Sequence, residues 1–91
     1  MFQLIESIKK WINEVLMFRR FLKNNNYNNS IPEFAILFWD KEDFGFVCVR
    51  IVLSNGRFID VQSKMALKWA MKSCRELNPK FRLRPAPIAI G

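Results

Sequence analysis

An Asn-Gly dipeptide at positions 55 and 56 stands between two runs of β-formers, Phe46 to Leu53 and Arg57 to Gln62. The central positions of a tight hairpin turn need positive φ, which Asn and Gly adopt at little cost, so the dipeptide marks these runs as an antiparallel pair. Phe34 to Trp39, a short apolar run, adds a strand upstream across a charged turn at Asp40 to Asp43. The segments on either side of this β region repeat their apolar residues every three or four positions, which is helical spacing. A chain of 91 residues has room for one compact domain. The expected fold is therefore α+β, a helix, a three-stranded antiparallel sheet and a helix over residues 1–79, with an Asn-rich loop at 24–31 and a basic C-terminal arm over 80–91.

Register follows from which side chains would face each other. A two-residue loop at Asn55-Gly56 sets Leu53 opposite Phe58 and Val52 opposite Ile59, but it also sets Ile51 opposite Asp60 and Arg50 opposite Val61. Neither sheet face is then wholly apolar, so the pattern predicts a longer turn.

The first helix, residues 2–23, places Phe2, Ile5, Ile8, Ile12, Val15 and Leu22 on one side. Trp11, Phe18 and Phe21 widen that sector beyond what one sheet covers, making them candidates for extra core or for a protein-binding surface, including one that pairs two copies of the chain. The second helix, Ser63 to Leu77, buries a stripe of Leu67, Ala70, Met71, Cys74 and Leu77, and its far side carries Lys64, Lys68, Lys72 and Arg75. Such a row can grip phosphates or can serve as a solvated face. Trp69, beside Lys68 and Lys72, reads as a rim residue of the core that could also pack on a ribose or base. Asn78-Pro79 stops the helix, after which Lys80, Arg82 and Arg84 alternate with Phe81 and Leu83, as in a short edge strand or an extended arm. The Pro-containing apolar end, Pro85 to Gly91, reads as a docking segment, and Asn24 to Ser30 as a mobile loop carrying little chemistry.

Fifteen Lys and Arg against eight acidic residues give a formal charge of +7, which favours anionic partners. The charge is uneven: residues 24–44 hold one basic group against four acidic, and residues 63–91 hold seven against one. His is absent, and Cys48 and Cys74 lack CxxC spacing, so neither a zinc site nor a disulfide framework is expected. Both cysteines read as small core residues suited to a reducing, cytoplasmic compartment. Charges interrupt every apolar stretch short of a membrane span, and no secretory leader is evident. Without a His, a phosphate loop or a hydrolase motif, catalysis is not expected, nor is any cofactor.

Several local stretches add to the element order. Ile12-Asn13-Glu14 resembles the Leu-Asn-Glu of the double-stranded-RNA-binding domain (dsRBD), and Pro32-Glu33-Phe34 resembles its Pro-Glu-Tyr. Phe46 to Val49 with Ser54-Asn55-Gly56 fits that family's second strand and turn, while Ser63-Lys64 and Lys68 match part of its Ser-Lys-Lys-x-x-Ala-Lys. The resemblance spans about residues 5–77. It implies that Lys64 and Lys68 hold phosphates across the major groove and that Glu14 meets ribose hydroxyls in the minor groove. The chain departs from the pattern where a Gly-Pro-x-His loop is replaced by Asp40-Lys41-Glu42-Asp43, and where Met65, Leu67 and Met71 replace a Lys and two small residues.

These readings favour non-catalytic binding of nucleic acid, structured RNA or a ribonucleoprotein, through Lys64, Lys68, Lys72, Arg75, Lys80, Arg82 and Arg84, with Glu14. The alternative is a protein-interaction module that sets the apolar first helix and the basic face against an acidic protein. Membrane attachment is disfavoured by Glu6, Asn13 and Glu14.

Overall fold

The computed structural model describes residues 2–25, 29–39 and 46–85, with side chains from Ile8 onward in the first helix and from Val47 onward in the second strand. The elements are α1 (Phe2–Asn25), β1 (Pro32–Trp39), β2 (Phe46–Leu53), β3 (Phe58–Val61), α2 (Lys64–Leu77) and β4 (Arg82–Pro85). The acidic turn at Asp40 to Asp43 and the segment 86–91 of the apolar tail lie outside the described residues.

The sheet has four strands in the order β3-β2-β1-β4, not three. β1, β2 and β3 form the antiparallel meander, and β4 adds beside β1 in parallel, pairing Phe34 with Arg82 and Ile36 with Arg84. Residues 82–85 of the expected arm are therefore an edge strand. Asn78 steers the chain there: its backbone N–H donates to the Cys74 carbonyl at 2.9 Å, its side-chain amide donates to the Pro32 carbonyl at 2.9 Å, and its side-chain oxygen accepts from the Lys80 N–H at 3.0 Å. With Phe81 buried as an anchor, the chain leaves α2 alongside β1.

The β2–β3 turn is longer than a two-residue loop. The Leu53 N–H donates to the Arg57 carbonyl at 2.8 Å, and the Gly56 N–H donates to the Leu53 carbonyl at 3.0 Å, enclosing Ser54, Asn55 and Gly56. Gly56 takes φ of +88°, the left-handed conformation that closes a three-residue hairpin loop. The register then sets Ile51 opposite Ile59, Val49 opposite Val61 and Arg50 opposite Asp60, so one face is apolar and the charged pair stands on the other.

Both helices pack on one sheet face. Phe18 of α1, Ala66, Ala70, Met71 and Cys74 of α2, and Ala35, Val49, Ile51 and Val61 of the sheet form the core. The inward line of α1 is Trp11, Val15, Phe18 and Leu22, while Ile8 and Ile12, expected inside, are 42% and 41% exposed. The aromatic residues take the inward line because the stripe beginning at Trp11 offers the larger apolar area to bury. Leu77 at the end of α2 is also exposed. Asn25 is no loop residue: it ends α1 buried, its amide donating to the Phe21 carbonyl at 2.8 Å and its oxygen accepting from the Asn55 amide at 3.0 Å. No helix among the described residues is long and apolar enough to cross a membrane.

Candidate nucleic-acid interface

The outer face of α2 is built by the burial of its inner one. Ala66, Ala70, Met71 and Cys74 are held against the sheet, so the 100° step of the helix turns Lys64, Lys68, Lys72 and Arg75 outward, and all four are exposed. Lys64, Lys68 and Lys72 follow at intervals of four residues, so their backbone positions rise about 6 Å apiece along the helix. None of them forms an ion pair among the described residues, where the ion pair present joins Arg50 to Asp60. Trp69 sits beside this row, 37% exposed, with its ring edge-to-face on Phe18 at 6.0 Å between centroids. It is a rim residue with a structural contact on one side.

Glu14, the residue that resemblance sets against ribose hydroxyls, makes intramolecular hydrogen bonds at the start of α2. One carboxylate oxygen accepts from the Gln62 N–H at 3.1 Å, and the other accepts from the Gln62 N–H at 3.2 Å and the Ser63 N–H at 2.8 Å. Ser63 makes no side-chain capping bond, and the first turn of α2 holds no acidic residue. Glu14 thus brings from α1 a negative charge to the N-terminus of α2 and accepts the N–H of the N-cap residue Ser63, as an acidic residue at the third helical position does in a capping box; that position here is Ala66. Its oxygens are engaged inside the protein.

The remaining predicted cations lie elsewhere. Arg82 and Arg84 pair with Phe34 and Ile36, residues of the sheet face opposite the helices, so they stand across the sheet from the α2 row. Lys80 is exposed in the turn between α2 and β4. The seven basic residues read together from the sequence therefore divide between two faces and the turn that joins them. Among the candidate protein-binding residues, Phe18 is fully buried in the core and Trp11 packs against it. Phe21 is half-buried beside Met17, Arg20, Asn24 and Ile59.

The open sheet face is the feature that sequence reading missed. Its cross-strand rows are Phe58, Val52, Phe34, Arg82; then Asp60, Arg50, Ile36, Arg84; then Cys48 beside Phe38. The Arg50 guanidinium donates to both Asp60 oxygens at 2.9 and 3.2 Å, and it lies 4.0 Å from the Phe58 ring centroid and 5.2 Å from that of Phe38. Arg84 lies 4.8 Å from the Phe34 centroid. Cys48, expected in the core, belongs to this face, half-buried; burial and the nearby Asp60 push its thiol above the ordinary value, against an opposing pull from Arg50. The unbroken apolar run Phe34 to Trp39 hid this face: strand geometry puts Phe34, Ile36 and Phe38 on one side, but which side stays open follows only from the register and the helix packing.

No group of three or more His, Cys, Asp or Glu among the described residues could hold a metal ion. A cleft of about 270 Å³ at the C-terminal ends of the helices is lined by Leu22, Lys23, Ser30, Ile31, Pro32 and Leu77. Comparison with protein-family models, curated proteins and solved structures gave no match.

Proposed function

We infer that the protein is a non-catalytic nucleic-acid-binding domain whose α2 face grips the phosphates of structured RNA. The observation that carries this reading is the outward row of Lys64, Lys68, Lys72 and Arg75, free of intramolecular ion pairs among the described residues. Cations without a local counter-charge gain most from a polyanion, because binding releases the counterions condensed on it. The order of the first five elements, with Lys64 and Lys68 at the start of α2, supports a dsRBD-like manner of engagement. β4 is an addition to that order, and Glu14 is engaged in holding α2, so the grip here rests on α2.

Replacing Lys64, Lys68 and Lys72 together by Glu tests it. Affinity for a 20-base-pair RNA duplex, measured by fluorescence anisotropy, should fall at least tenfold with the melting temperature little changed; unaltered affinity rejects the assignment. A second reading, docking of a protein on α1, is favoured by Ile8, Ile12, Leu16 and Met17, which stand 41–57% exposed. Under it, Leu16→Glu abolishes the interaction and the triple Lys variant does not.

A further inference from the structure

We propose that the open face of the sheet is a second nucleic-acid surface, one that takes unpaired bases of a single strand. Both helices lie on the other side, so among the described residues nothing packs on this face. Its charge is graded. At the centre, Arg50 is paired with Asp60 and its guanidinium lies 4.0 Å from the Phe58 ring centroid and 5.2 Å from that of Phe38, which makes that region a charge-balanced aromatic field. At the β4 edge, Arg82 and Arg84 are exposed and carry no ion pair among the described residues. Strands stand about 4.8 Å apart, so the field from β3 to β4 is about 14 Å wide, enough for about two bases beside one another.

A single strand has the complementary layout. Its backbone places phosphates in a line, for Arg82 and Arg84, and its bases offer planar surfaces that stack on phenyl rings and on guanidinium planes alike. The Arg84 guanidinium already rests on Phe34, leaving its outer plane and in-plane N–H groups available. A second copy of the chain fits poorly: three arginines against one aspartate leave the face at about +2, and pairing it with itself would bury like charges. An apolar protein surface would cover Arg82 and Arg84 without partners.

This proposal shares with the preceding section the premise of a nucleic-acid partner but not its site. The test uses a reporter on the face itself. Cys48 lies there half-buried, whereas Cys74, the other cysteine, is fully buried. The rate at which a maleimide labels native protein therefore reports the openness of the sheet face. With a saturating 12-nucleotide oligouridine, whose binding is followed in parallel by anisotropy, labelling of Cys48 should slow at least fivefold, in the wild type and in the triple Lys variant alike. Arg82→Ala with Arg84→Ala should weaken oligouridine binding on the order of tenfold, and Phe34→Ala by a similar factor.

Binding that leaves the labelling rate unchanged overturns the proposal, even if duplex binding through α2 stands. Absence of oligouridine binding overturns it too, and if duplex RNA also fails to bind, the shared premise falls with it. Protection that grows with protein concentration without oligonucleotide identifies a second copy as the occupant and rejects the single strand.

Discussion

Replacing Glu14 by Ala removes the acceptor that holds the N-terminus of α2 against α1. Two backbone N–H groups, at Gln62 and Ser63, lose a charged partner that now stands at 2.8 to 3.2 Å. A hydrogen bond to a charged group contributes about 1.5–3 kcal/mol, and an N-cap about 1. Ser63 is half-buried and Gln62 exposed, so water can recover part of this, and the net loss is about 2 kcal/mol. For a domain of this length each kcal/mol moves the midpoint by about 4–8 °C, so Glu14→Ala should melt about 10–15 °C below the wild type. Glu14→Gln keeps one acceptor oxygen and loses the charge, and should fall between the two. Circular dichroism melts at neutral pH read the effect. A Glu14→Ala midpoint within 2 °C of wild type would refute the capping role, and reduced RNA affinity with that unchanged midpoint would return Glu14 to the ribose contact of the dsRBD.

Two further predictions concern the fold. A Cβ on Gly56 would meet nothing within 4 Å, so Gly56→Ala should destabilise by the conformational cost of a left-handed residue alone, about 1 kcal/mol in urea denaturation, and Gly56→Asn by less. Burial pushes the Cys74 thiol from 9.0 up to about 12. The folded state thereby favours the protonated thiol, a stabilisation present in full below pH 9 and lost as pH climbs towards 12. The urea midpoint should fall over that window, with a shallower slope in Cys74→Ala.

The sequence made the element types legible through helical spacing in α1 and α2 and through runs of β-formers bounded by turn residues. The two-residue hairpin was rejected on chemistry alone, since it opposed Ile51 to Asp60; the structure opposes Ile51 to Ile59. What could not be read was pairing between distant segments. Arg82 and Arg84 alternate with apolar residues whether they form an arm or an edge strand, and only the bond from Asn78 to Pro32 and burial of Phe81 set them beside β1. Residues read as one basic site consequently separate onto two faces. In α1, two apolar stripes compete for the sheet, and the aliphatic spacing of Ile8 and Ile12 hid the wider aromatic one through Trp11 and Phe18. The bonds of Glu14 could not be read from the sequence because its donors, at Gln62 and Ser63, are 48 and 49 residues away.

The central claim, that free cations on α2 meet phosphates, is tested most directly by the salt dependence of duplex RNA binding. Four cations, each neutralising one phosphate, predict that log K falls against log salt with a slope of about −3 to −4. The triple Lys variant should lose most of that slope along with its affinity. A wild-type slope flatter than about −1, or one the variant keeps, contradicts the account.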